Sequence, residues 1–317
     1  MFFLLLHIIL ISGFGLFLKD AGNRGHRLNP IGLINYLTAF LISIWWATQA
    51  GNFEFTKLTF AFGFTNGLAY STGFALVTLG MRLSGIIVTI AVVRLSLVVP
   101  IVFAILFWNE IPNAWQVVGI VLSCCTLPLL GTRTPSDSHT SPRSQQGERS
   151  EMKQGFALNS SSPSLFPSSP FRGEVGKGLG LFIVALLFLN SGISRLAMKA
   201  FNEMCPIEQK SMYLLFLFGI TTVVYTGVCI YQKTVPTYWE VFYGVLIGIC
   251  NVGGSWAFLN ALDRVDALIA FPVSGSGGVL FTVLIGILVL GERLNRKSMV
   301  GVVATIFALI FVNLKGE

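Results

Sequence analysis

Arg94 lies inside an apolar run, residues 84–108, with at least nine residues on either side of it before that run ends. A guanidinium at such depth in apolar surroundings costs from about 2.5 kcal/mol to several times more, so it must face a cavity or a partner. Its structural use would be to donate to the carbonyls of a neighbouring helix. A shift of 182 positions carries Arg94 onto Ser276, within "FPVSGSGG" (271–278). There Pro272 lacks a backbone donor and the glycines tolerate unwound geometry. A broken helix would present backbone groups and the Ser274 and Ser276 hydroxyls to a solute. The same small residues would also permit tight helix packing.

Two further pairs, Asn66 with Tyr70 and Asn251 with Ser255, are each four residues apart and so share a helix face. Trp256 adds an aromatic wall beside the second pair. Hydrogen bonds between helices would use these residues as readily as solute binding would. Asn190, Ser191 and Ser194 carry a weaker signal of the same kind. Arg195 and Lys199 fall toward the end of their run, where long basic side chains reach for the interface. A lone His7 in the first run offers either a proton carrier or a simple hydrogen-bonding group, and the second is the commoner use of a membrane histidine.

The chemistry on offer is binding. The three histidines, His7, His26 and His139, are scattered, and no nucleophile and base gather at one place. The five cysteines show no CxxC spacing and read as small hydrophobes, which implies neither a disulfide framework nor a zinc site. No enzyme activity, metal or cofactor is expected.

The elements that position these residues follow from composition. Charged residues make up 11% of the chain, against about 25% in an average soluble protein. Hydrophobic residues make up 54% and the mean hydropathy is +0.75. Too little charge is present to cover a water-soluble globule, so lipid is the solvent. The net charge of +7 forms no basic stripe with interleaved aromatics, which argues against nucleic acid. About 20 apolar residues in a helix cross a bilayer core. Candidate spans are 1–18, 30–49, 58–80, 84–108 and 113–131, then 178–200, 211–231, 237–261, 266–290 and 298–314. Met1 leads straight into the first run and Lys19 follows it, the pattern of a retained span and not of a cleaved signal peptide.

The expected fold is therefore an all-α integral membrane protein of ten transmembrane helices. Residues 132–177 are rich in Ser, Pro, Gly and charge, and are expected to be a disordered linker between units 1–131 and 178–317. The two units repeat each other. The 182-residue shift brings Glu110 onto Glu292, Asn113 onto Asn295, Gly119 onto Gly301 and Arg82 onto Arg264. With a slip of one residue, "GFTNG" (63–67) meets "GVLIG" (244–248), both with glycines spaced for close backbone approach. A unit of five crossings ends on the face opposite its start, so its second copy is inverted. Inverted repeats build carriers that alternate access to a site near the midplane. Glu110 and Glu292 would then cap equivalent helix junctions on opposite faces.

The stretches "VVPIVFAILFWNEIPNAWQVVG" (98–119) and "GGVLFTVLIGILVLGERLNRKSMVG" (277–301), each closing a half, resemble the drug/metabolite transporter superfamily, specifically its EamA-like ten-span carriers. The first copy departs from the pattern, with Asn109 where Gly is expected and Ile111-Pro112 in place of the basic residue. The resemblance implies that spans 3 and 8 line a central cavity beside spans 4 and 9. It also implies cytoplasmic termini, whereas the positive-inside rule, applied to connectors that hold most of the Lys and Arg, places the linker in the cytoplasm. Small multidrug-resistance relatives use a membrane-embedded carboxylate to exchange protons for cationic drugs. No Asp or Glu lies deep in any span here, which disfavours a cationic drug. The expected function is secondary transport of a small neutral, zwitterionic or anionic metabolite, with Arg94 as anion partner. A membrane scaffold or sensor, or a membrane-embedded enzyme on the same bundle, is the alternative. The expected partners are a small-molecule substrate and the lipid bilayer, with no coupling ion identified. The expected setting is a monomer or homodimer in the plasma (inner) membrane of a bacterium.

Overall fold

The computed structural model describes residues 1–51, 53–84, 86–131, 174–288 and 296–314. Glu292 and Arg293, and the linker from 132 to 173, lie outside the described residues. Those that are described form eleven α-helices and no strand. In chain order they are α1 (Phe2–Asn23), α2 (Leu28–Ala50), α3 (Lys57–Leu83), α4 (Ile86–Leu95), α5 (Val98–Phe107), α6 (Ala114–Gly131), α7 (Glu174–Met204), α8 (Lys210–Tyr231), α9 (Tyr238–Leu262), α10 (Ala267–Leu288) and α11 (Arg296–Asn313). In hydrocarbon every backbone amide and carbonyl must be satisfied within its own segment, which is why apolar runs of this length become helices. Six of them, α1, α2, α7, α8 with its preceding turn, α9 and α10, are long and apolar enough to cross a membrane.

Side chains set the helix limits. The Thr56 hydroxyl accepts from the Thr59 amide at 3.1 Å at the start of α3, and Thr237 with Glu240 closes a capping box on α9. Asn113 does the same for α6: its Oδ1 accepts from the Gln116 amide at 2.8 Å, and Gln116 Oε1 accepts from the Asn113 amide at 3.0 Å. Two orphan donors are thereby satisfied. Just upstream, Asn109 adopts φ +53°, a left-handed conformation that Gly and Asn tolerate best. Its replacement of the family's glycine therefore keeps the backbone requirement.

Of the two uses open to residues 271–278, a broken helix and tight helix packing, the helix is not broken. Residues 271–278 run continuously within α10, with Pro272 inside the helix. Pro272 lies in the second turn, where it forgoes a single bond to the Leu268 carbonyl. The break occurs instead in the related segment, between α4 and α5 at Ser96–Leu97. Pro100 is responsible, because its ring crowds the carbonyl four residues back, at Ser96. The chain tightens there, with the Leu97 amide donating to Arg94 at 3.2 Å and the Val99 amide to Ser96 at 3.1 Å.

The helices pack in partnerships that run between the two halves of the chain. α1 packs on α9 and α7 on α3, α2 on α9 and α8 on α3, while α2 meets α8 and α6 meets α11. Glycines permit the closest of these contacts. A Cβ on Gly67 of α3 would stand 2.7 Å from the Leu217 carbonyl oxygen of α8. One on Gly248 of α9 would stand 2.7 Å from the Asn35 carbonyl oxygen of α2. The core between these helices is aromatic and aliphatic, centred on Tyr213, Phe218, Leu217 and Leu259.

Candidate functional site

A cavity of about 170 Å³ opens where α1, α3, α4, α7, α9 and α10 converge. Its polar wall is made by His7, Tyr70, Arg94, Ser194, Arg195, Ser255 and Ser274, and its apolar wall includes Ile11, Met198, Phe258 and Phe271. Four of the residues expected from sequence, Arg94, Tyr70, Ser255 and Ser274, are brought together here. They come from four helices, two in each half of the chain.

Arg94 occupies the last turn of α4, where the helix breaks. Its Nη1 donates to the Gly275 carbonyl at 3.3 Å, at the long edge of hydrogen bonding. It therefore faces the cavity and touches a neighbouring helix at once. The second guanidinium, Arg195, was expected at the interface but lines the cavity instead. The reason is that α7 continues to Met204, which moves Arg195 well inside the helix. Lys199, also expected to reach for the interface, is buried. It pairs with Glu110 at 2.7 Å and with Glu203.

His7 is hydrogen-bonded, as expected, and also lines the cavity, which was not expected. Its Nδ1 lies 2.8 Å from the Gly254 carbonyl oxygen and its Nε2 lies 2.7 Å from Ser274 Oγ. A carbonyl can only accept, so Nδ1 carries the proton. In the neutral ring Nε2 is then the acceptor, and the Ser274 hydroxyl donates to it. Tyr70 of α3 and Ser255 of α9 both line the chamber.

The other expected residues stand back from the cavity. Asn66 is fully buried: its Nδ2 donates to the Tyr213 hydroxyl at 2.6 Å, and its Oδ1 accepts from Ser194 Oγ at 2.6 Å. It positions Ser194 from behind. Asn251 donates to Asn35 Oδ1 at 3.2 Å, joining α9 to α2. Trp256 packs edge-on against Phe3, ring centroids 5.5 Å apart, and against Trp46 at 5.7 Å. Ser276 is buried, and its hydroxyl has no partner among the described residues. Among the described residues no three His, Cys, Asp or Glu side chains gather to hold a metal ion.

An arrangement of this kind can bind a small polar solute in a partly apolar chamber, with charge supplied by guanidinium groups alone. The profile of the EamA-like transporter family matches residues 177–314. Spermidine export protein MdtI of Citrobacter koseri is 32% identical over 73 residues, which are 23% of this chain and 67% of that protein. Its counterpart in Klebsiella pneumoniae subsp. pneumoniae is 28% identical over 72 residues, 23% of this chain and 66% of that protein. The chain thus spans about two thirds of the length of these relatives. A solved protein crystal structure superimposes with a TM-score of 0.72 at 13% identity, covering 98% of this chain and 95% of the other, which is a likeness of fold.

Proposed function

The chain belongs to the EamA-like transporter family of the drug/metabolite transporter superfamily, and from that premise we propose that it is a secondary transporter of a small neutral, zwitterionic or anionic metabolite. It works by alternating access between two inverted five-helix repeats, 1–131 and 178–317, joined by the linker 132–177. In this reading α4 and α5 form one broken span, which gives ten.

The observation that carries the proposal is that the cavity is lined by helices in exchangeable pairs. Interchanging the halves swaps α1 with α7, α3 with α9, and α4 with α10, and these six helices line the chamber. The same exchange maps the α1–α9 contact onto α7–α3 and the α2–α9 contact onto α8–α3, and returns α2–α8 and α6–α11 to themselves. The glycine contacts obey it as well, with Gly67 on α8 answering Gly248 on α2. A site on the axis between two such units can be exposed by rocking one against the other. The sequence carries no GxxxxGK[ST] loop, so a gradient of the solute or of a coupled ion supplies the driving force. The bacterial source of the relatives supports a place in a bacterial plasma membrane.

A polyamine cargo is the second reading, suggested by the relatives' names. Two guanidinium groups line the chamber, and they would repel such a cation. Flux into proteoliposomes, screened over amino acids, sugars, nucleotide derivatives and spermidine, tests the proposal. Saturable uptake of at least one amino acid, sugar or nucleotide derivative is the expected result, and uptake of spermidine alone would favour the polyamine reading. Uptake no faster than in protein-free vesicles across the whole panel would overturn it.

A further inference from the structure

The chamber holds two cations and no counter-charge of its own. Arg94 and Arg195 both line it, one from each half of the chain. Every other polar side chain on the wall is a hydroxyl or the His7 ring, whose Nδ1 is engaged by the Gly254 carbonyl. The carboxylates that could have neutralised the pair are spent elsewhere. Glu110 and Glu203 are held by Lys199, Asp263 by Lys210, Glu240 by Arg27, and Asp20 by Arg24. Among the described residues no carboxylate pairs with Arg94 or Arg195, and α3, α4, α5 and α10 contain no acidic residue at all.

Two neighbouring cations in a low-dielectric chamber repel, and each retains a cost of desolvation. Each guanidinium presents five donors in a planar fork suited to an oxyanion. Of these ten, the described hydrogen bonds engage one, from Arg94 to Gly275. Resting on the transporter reading above, we propose that the chamber takes a small organic dianion gripped between Arg94 and Arg195. The solute supplies the missing negative charge, and in bridging the two forks it spans the boundary between the halves. Tyr70, Ser194, Ser255 and Ser274 supply neutral hydroxyls around it, and Phe258 and Phe271 pack its carbon frame.

The test uses the full chain in nanodiscs of zwitterionic lipid, with succinate and methyl phosphate as dianions, succinamide as a neutral probe and putrescine as a cation. Binding is read by calorimetry, and flux of the same probes is read separately in proteoliposomes. Saturable binding of at least one dianion is expected, with no binding of succinamide or putrescine. Arg94→Gln and Arg195→Gln should each weaken it by roughly thirtyfold or more, the loss for truncating one partner of a buried charge pair. Arg94→Lys and Arg195→Lys keep the charge without the fork and should fall between, which keeps the test valid if a glutamine variant fails to fold. Failure of both dianions to bind overturns the proposal, as does dianion binding unchanged in every arginine variant. Dianion binding without flux would keep the anion site and remove the transporter reading. Flux of a neutral or cationic solute without dianion binding would do the reverse.

Discussion

Lys199 Nζ of α7 lies 2.7 Å from Glu110 Oε1 in the loop between α5 and α6, with 2% of the lysine side chain exposed. The other carboxylate oxygen, Oε2, accepts from the Leu268 amide at 3.1 Å, at the first turn of α10. One carboxylate therefore caps α10 and neutralises α7, tying the end of the first half to two helices of the second. On the same side of the bundle Lys210, which opens α8, pairs with Asp263, which follows α9.

Lys199→Met should lower stability by about 3 kcal/mol, because it strands Glu110 largely buried without its cation. Adding Glu110→Gln should recover part of that loss, since both charges are then gone while an acceptor for the Leu268 amide remains. Thermal melting of the purified variants in detergent, arranged as a double-mutant cycle, measures the coupling. Strictly additive losses would refute a direct pair.

Gly67→Ala and Gly248→Ala should each destabilise by roughly 1–3 kcal/mol, because the new methyl would meet a backbone carbonyl that cannot yield. Gly15 has nothing within 4 Å of its virtual Cβ, so Gly15→Ala should be neutral or stabilising by up to about 1 kcal/mol through helix propensity. Melting of the three variants side by side checks the contrast. Equal effects would show that the inter-half contacts do not depend on these glycines.

Such contrasts mark how far the sequence is legible. Glycines one turn apart announce a close approach because no other residue permits it. Arg94 is legible because a charge deep in an apolar run has few places to go. Arg195 is not, because the apolar count fades at Lys199, Asn202 and Glu203 while the helix continues. What sustains it there is the pairing of Lys199 with Glu110, far off in sequence. His7 finds Gly254 and Ser274 at separations of 247 and 267 residues, which no local pattern encodes. The place of the helix break is not legible from proline alone. Pro100 sits mid-span and breaks it, whereas Pro272 lies near the start of α10 and does not. Same-face spacing groups Asn66 with Tyr70, yet only Tyr70 reaches the cavity, because the direction of the face is set by packing.

Asn66→Ala should cost about 0.6–1.7 kcal/mol, the range for hydrogen bonds between transmembrane helices, and should weaken solute affinity less than loss of a wall residue does. Tyr70→Phe and Ser274→Ala should do the opposite, weakening solute affinity with little change in melting. Comparing melting temperature with the half-saturating solute concentration across the three separates wall residues from those behind the wall.

His7→Phe removes the acceptor for the Ser274 hydroxyl and the donor to the Gly254 carbonyl together. Loss of about 1–3 kcal/mol is expected from the unsatisfied buried groups, and His7→Asn should recover some of it by replacing one bond. Equal melting of the two variants would rule out the hydrogen bonds as the source of the effect.

The most direct measurement is the accessibility of Ser274→Cys, in a chain stripped of its native cysteines, to a membrane-impermeant thiol reagent applied to each face of sealed vesicles in turn. Inverted halves that rock about a central chamber predict modification from both faces, slowed from either by a transported solute. Modification from one face alone, or from neither, would contradict the account.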